Sequence, residues 1–255
     1  MQYKDIMETL RYFKWLAKHK YYDKLTVIGI ENSTACNRKC PYCPNFNYSR
    51  GNHLMSIELW NKIIDDLAQM NYTGSISPGL FNEPLIDERL PQLIKYARQK
   101  LPKSEILIYS NGDLVNEKTY KELKKAGVTR FRISQHDDKW KNTFMDSDAK
   151  LCPDIEIVRY HNYANPAILN NRGGLVDTIK PIYQPHCYMI VSTMWIDYTG
   201  KAILCCNDYL SSTNLGNVRE KSINEIWTNS NYRKVRLDVL SGIYNVPICR
   251  KCNGL

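Results

Sequence analysis

The chain has 255 residues, 43% of them hydrophobic and 24% charged, with a net charge of +9. That length fills one large core, or one core with a small appendage, and the composition is that of a globular protein without repeats or low-complexity segments. The longest stretch free of Asp, Glu, Lys and Arg covers 16 residues, Pro181 to Ile196, which is too short to cross a bilayer.

The first residues, MQYKDIMETLRYFKWLAKHK, are charged throughout and lack the apolar core of a signal peptide. A cytoplasmic protein with no membrane anchor is therefore expected. Nine cysteines in such a compartment, where thiols stay reduced, point to metal or cluster ligation rather than to disulfides. The positive balance describes a lysine-rich solvated surface, or a face for an anionic partner; nucleic acid is the weaker reading.

In chain order, Ile6, Leu10, Phe13, Trp15 and Leu16 predict an amphipathic leading helix within residues 1–23. LTVIGI (25–30) reads as a buried strand. SIELWNKIIDDLAQM (56–70) has the helical period, with Ser56 as N-cap. Further strands are predicted in 72–80, 105–110, 128–134 and 154–160. Between them lie the helical stretches DERLPQLIKYARQ and NEKTYKELKKAG, the second capped by Asn116 and stopped by Gly127. Strand–helix alternation implies α/β architecture: a parallel sheet with covering helices, open as a partial (β/α) TIM-like barrel over 24–170. Its working residues would sit where strands end. Past the linker NNRGG (170–174) the pattern changes. A hairpin turning at Asp197 to Gly200, a helix opened by a Ser222/Glu225 capping box and the tail ICRKCNGL form a small second domain over 180–255.

After the first strand comes CNRKCPYC, which spaces Cys36, Cys40 and Cys43 as C-x₃-C-x₂-C. Thiolates usually hold all four irons of a cubane cluster. Three leave one iron open, and an open position is how a metal site does chemistry rather than architecture. In this the sequence resembles the radical SAM enzymes. It shares their cysteine spacing and the aromatic Tyr42 before the last cysteine. LFNEP (80–84) stands where that family has Gly-Gly-Glu, with both glycines replaced. SNG (110–112) and Ser134 stand at further family positions. The resemblance implies a [4Fe–4S] cluster on Cys36, Cys40 and Cys43, with S-adenosylmethionine on the open iron. It places Asn82 and Glu83 at the methionine amino group, Ser110 and Asn111 at the ribose, and Ser134 at the carboxylate. It also implies a flavodoxin- or ferredoxin-type electron donor.

Cys187, Cys205, Cys249 and Cys252 remain in the second domain, with Gly200 placed between the first two. This pattern resembles the twitch form of the SPASM domain. It implies a second, auxiliary [4Fe–4S] cluster whose four ligands close it to substrate and leave it the task of electron transfer. A Cys₄ zinc is the structural alternative. Cys206 should point away from Cys205, into the core or toward a hydrogen-donor role. Cys152 reads as a buried thiol.

One reactive and one closed cluster suggest removal of two electrons from a carbinol, as in aminocyclitol dehydrogenases, which this chain resembles in size. A sugar-like or cyclitol alcohol is the expected substrate. Arg172, in the linker, is the candidate to hold the hydroxyl, with His136 and His161 as bases by pKa. An epimerase, which would need a thiol to return hydrogen, and a peptide-modifying enzyme are the alternatives.

Overall fold

A computed structural model describes residues 24–136, 142, 144, 152–159, 170–177, 181 and 183–255. The leading helix expected in 1–23 and His161 lie outside these residues.

Seven strands form one sheet in the order β5-β4-β3-β2-β1-β6-β7. The first five, β1 (Val27–Ile30), β2 (Ser75–Pro78), β3 (Glu105–Ser110), β4 (Arg130–Gln135) and β5 (Ile155–Arg159), run parallel, each beside its predecessor. The expected strands are all present, as is the α/β open-barrel architecture. Crossover helices α1 (Ile57–Gln69), α2 (Leu90–Lys100) and α3 (Glu117–Ala126) connect them. Helix α1 buries Leu59, Trp60, Ile63, Ile64 and Leu67, and its Ser56 side chain accepts from Leu59 N as the predicted cap. Helix α2 starts later than the sequence suggests, at Leu90. Pro91 suits a first turn, and Asp87 is occupied with the backbone and side chain of Arg89. Helix α3 begins in a reciprocal Asn116/Thr119 box and stops at Gly127, whose φ of 121° opposes continuation.

The second half is not laid against the barrel as a separate sheet. Strand β6 (Thr193–Ile196) pairs in parallel with β1, and the hairpin then returns as β7 (Ala202–Ile203), antiparallel to β6. Gly29 makes room for this. A Cβ there would lie 2.1 Å from Trp195 Cε3, so the indole can cross β1 only over a bare Cα. Asp197 sets the hairpin turn by accepting from Thr199 N, Thr199 Oγ1 and Lys201 N.

Helices α4 (Ile223–Thr228), α5 (Ser230–Leu240) and α6 (Pro247–Asn253) complete the fold. The Ser222/Glu225 capping box opens α4, and Ile223 N donates to Asp66 Oδ2 of α1. Helix α5 escapes periodicity because a buried Arg236 occupies its inner face, 3.8 Å from the Trp227 ring centre and 4.7 Å from that of Tyr232. Among the described residues no helix is long and apolar enough to cross a membrane.

Gly29→Ala should destabilise the chain by roughly 1–3 kcal/mol through overpacking against Trp195. Adding Trp195→Leu should recover part of that loss. Urea denaturation of both variants checks it, and an unchanged midpoint for Gly29→Ala would contradict the packing argument.

Candidate functional site

Strand β1 ends in a buried polar run, Glu31, Asn32, Ser33 and Thr34. Such groups are tolerated only when paired. Glu31 receives a two-pronged contact from Arg50, at 2.6 and 2.8 Å, and Tyr198 N at 3.3 Å. The Arg50 guanidinium also faces the rings of Phe81, Tyr198 and Tyr209 at 5.2–5.8 Å. Burial works against its charge, but the Glu31 carboxylate more than offsets this and holds Arg50 protonated. The cysteine loop is thus pinned at both ends of its return path.

Cys36, Cys40, Cys43 and Tyr42 line one open cleft of about 850 Å³. Within the loop, Cys43 N donates to Cys40 O at 2.9 Å, and a 3₁₀ turn follows at Pro44–Phe46. Asn45 Nδ2 donates to Phe81 O at 2.6 Å, and the Tyr209 hydroxyl reaches Asn45 Oδ1 at 2.5 Å and Tyr48 O at 2.8 Å. Burial pushes the Cys36 thiol up to about 11, and the charges of Glu83, Cys43 and Cys40 push the same way. A thiolate there needs a cation, which a coordinated metal supplies.

Asn82, Glu83, Ser110, Asn111 and Ser134 line the same cleft, so the predicted cofactor residues are brought together. The side chains of Asn82, Glu83, Ser110 and Asn111 are already engaged. Asn82 Nδ2 donates to Asn32 Oδ1 and Ser33 Oγ, and its oxygen accepts from Leu80 N. Glu83 accepts from Ser110 Oγ at 2.8 Å and Asn111 N at 2.7 Å. Burial lifts the Glu83 carboxyl to about 7 against those donors, so an arriving cation would meet a group ready to give up a proton. Asn111 Nδ2 donates to Asn37 Oδ1, and Arg38 grips Asp113 with two 2.6 Å contacts, strapping the SNG segment to the cysteine loop. Tyr42 Oη lies 2.5 Å from His136 Nδ1.

Arg172 enters the cleft from the linker on an unusual backbone. Arg172, Gly173 and Gly174 all have positive φ, at 50°, 66° and 86°. The two glycines take this conformation freely, whereas Arg172 is strained by it and keeps it only where the surroundings dictate it. Here α6 dictates it, because a Cβ on Gly173 would stand 2.6 Å from Ile248 Cγ1. Cys206 lines the cleft as well, the second of the two places expected for it. Strand β7 ends at Ile203, so strict alternation no longer governs residues 205 and 206.

Behind that wall Cys187, Cys205, Cys249 and Cys252 form a second group. Cys249 and Cys252 are one turn apart on α6. Burial raises all four thiols, Cys249 to about 12, and the charge of Cys187 bears on Cys205 and Cys249. Soft thiolates in these numbers suit iron–sulfur cores: three on an open cleft, four in a closed nest. Among the described residues no three His, Cys, Asp or Glu side chains stand close enough to share a single metal ion.

Residues 30–140 match the radical SAM superfamily, and residues 187–253 match the SPASM iron–sulfur cluster-binding domain. The S-adenosyl-L-methionine-dependent 2-deoxy-scyllo-inosamine dehydrogenase of Niallia circulans is 27% identical over 241 residues, 91% of this chain and 95% of that protein. A crystal structure of BtrN in complex with AdoMet and 2-DOIA superposes with a TM-score of 0.82 at 25% identity, covering 90% of this chain and 93% of that one. A GTP 3′,8-cyclase of Clostridium perfringens is 30% identical over 121 residues, 46% of this chain and 36% of that protein.

Arg50→Met should strand Glu31 in the interior and cost about 3–5 kcal/mol near pH 8. The stranded carboxyl binds its proton more tightly folded than unfolded. The variant's deficit should therefore shrink at pH 5 and grow as pH rises past the ordinary carboxylate range. Urea titrations at the two pH values check this, and equal deficits would refute the buried pair.

Proposed function

We propose, for a chain that belongs to the radical SAM superfamily and carries a SPASM-type iron–sulfur domain, the two-electron oxidation of one carbinol of a sugar-like or aminocyclitol substrate to the ketone. When bound, the two [4Fe–4S] clusters and S-adenosylmethionine supply the radical chemistry, a 5′-deoxyadenosyl radical that takes hydrogen from substrate and an acceptor for the remaining electron. The observation that carries the reading is the cleft itself. Cys36, Cys40 and Cys43 line it together with Arg172 and Cys206, and Cys205, the neighbour of Cys206, belongs to the second thiol group. A small alcohol in that cleft sits between the two thiol groups.

Cys36, Cys40 and Cys43 would hold the reactive cluster, and Cys187, Cys205, Cys249 and Cys252 the auxiliary one. Glu83 would meet the methionine amino group. Asn82, its own hydrogen bonds internal, would act by holding the loop that aims Glu83. Ser110, Asn111, Ser134 and Tyr42 would border the rest of the cofactor. Arg172 would hold the substrate oxygen and polarise its O–H bond; guanidinium is too weak an acid to serve as the formal base. His136, hydrogen-bonded to Tyr42 within the cleft, is a group able to carry the proton away. We place the barrel at 24–170 and the auxiliary domain at 180–255. The nine thiols suit a reducing cytoplasm, and the net charge of +9 suits an acidic donor of the flavodoxin or ferredoxin type.

Cys206 supports a second reading. A thiol in the cleft wall could return hydrogen to the substrate carbon from its other face, which is epimerisation.

Anaerobically reconstituted protein should contain about eight irons per chain, four for each cubane. With dithionite and S-adenosylmethionine it should release 5′-deoxyadenosine, and 2-deoxy-scyllo-inosamine or a related cyclitol should lose two hydrogens by mass spectrometry. Absence of 5′-deoxyadenosine defeats the proposal. Arg172→Lys should lower ketone formation by about 100-fold, as loss of a hydrogen bond made to developing charge does, while 5′-deoxyadenosine continues to form. Cys206→Ala should still make ketone; a stall, with deuterium-exchanged substrate, would favour the epimerase.

A further inference from the structure

Asn207 follows Cys205 and Cys206 and is buried. It touches both halves of the proposed machinery. Its Oδ1 accepts from Arg172 Nη1 at 3.3 Å. Its backbone N donates to Cys205 Sγ at 3.4 Å, and its Nδ2 lies 3.9 Å from Cys252 Sγ. Gly173, the neighbour of Arg172, donates its own N–H to that Cys252 sulfur.

The orientation of the amide follows from donor chemistry. Guanidinium has only donors, so it must face the amide oxygen, and the NH₂ is left facing the sulfur. The flipped amide would set NH₂ against guanidinium and oxygen against thiolate, losing both contacts. Asn is thus the side chain of this length that offers an acceptor to one neighbour and a donor to the other. Asp offers no donor, and Leu offers neither.

We infer that Asn207 is a positioning residue that ties the substrate-facing Arg172 to the sulfurs of the C-terminal nest, and that its amide donor favours the reduced form of the cluster held there. The inference rests on the proposed function only for the presence of that cluster. Donors to ligand sulfur stabilise the extra negative charge of the reduced state, so they raise its potential. One residue then serves two needs of an alcohol oxidation. It aims the arginine at the hydroxyl and makes the neighbouring cluster a better electron acceptor.

The test uses full-length Asn207→Asp and Asn207→Leu. Each is prepared also with Cys36, Cys40 and Cys43 changed to alanine, so that only the C-terminal cluster signals in a potentiometric titration followed by electron paramagnetic resonance. Without the amide donor, the reduced-to-oxidised ratio at a fixed potential should fall by about fivefold in the Leu variant, the worth of one ordinary hydrogen bond. It should fall further in the Asp variant, which adds a negative charge. KM for the alcohol, read in the chain with all cysteines present, should stay near the parent value for Asp, which keeps an acceptor for Arg172, and rise for Leu. Melting temperatures of the loaded proteins, within a few degrees of the parent, establish that both variants fold. Unshifted titrations in both variants overturn the inference, as does a parent protein without a C-terminal cluster. A shifted titration in a protein that oxidises no alcohol supports the role of Asn207 and overturns the proposed reaction instead, because the potential is read without substrate.

Discussion

The parallel pairing of β1 with β6 is the constraint on which the molecule depends. Parallel neighbours bring their C-terminal ends to one edge of the sheet. The residue after β1 is Glu31 and the residues after β6 are Asp197 and Tyr198. Glu31 N donates to Ile196 O, and Tyr198 N donates back to the Glu31 carboxylate. The cysteine loop after β1 and the hairpin turn after β6, more than 150 positions apart in sequence, therefore leave the sheet side by side. The bare Cα of Gly29 under Trp195 is the local condition for that pairing.

Electrostatics then shapes the space between the segments. The interior holds the ion pair of Glu31 with Arg50, walled by three aromatic rings, in which burial still lifts the Glu31 carboxyl against the pull of the guanidinium. It also holds Glu83, which has hydrogen-bond donors but no ion-pair partner among the described residues. The first is architecture, because its charges are already matched. The second suits a ligand that brings positive charge, since burial lifts its carboxyl to about 7, where such a ligand tips it to the charged form. Side by side, the two carboxylates show how the same residue type serves as a fastener or as a receptor according to what neutralises it.

Much of this was legible in the sequence, and the reasons are specific. Strands β1 and β3 carry short apolar runs, β4 and β5 alternate apolar with polar or charged residues, and the caps at Asn116 and Ser222 are answered three positions later by Thr119 and Glu225. The cysteine spacings carried the two thiol groups. The hairpin at Asp197 was visible, but its alliance with β1 was not, because periodicity reports which face is buried and never against whom. Helix α5 was missed because Arg236, a charged residue, takes an inward position between aromatic rings. For Cys206 the pattern offered two places, core or cleft, because alternation says only that it parts from Cys205 and β7 already ends at Ile203. Asn207 gave no signal, since nothing in a sequence tells an asparagine that bridges an arginine to a sulfur from one that merely turns the chain. Arg172 was found through its place in the linker, but its left-handed backbone was suggested only by the two glycines behind it.

The Tyr209 hydroxyl, resting against Asn45 and the Tyr48 carbonyl, carries a consequence for biogenesis. The loop bearing Cys36, Cys40 and Cys43 leaves the ribosome early, yet a clasp that fixes its return path is made by a residue translated much later. During synthesis the early thiols are held by fewer contacts than in the finished protein, and the loop reaches its final shape only when the downstream hairpin has docked. The final shape of that loop is thereby tied to a late event, the docking of the segment after β7 that carries Tyr209.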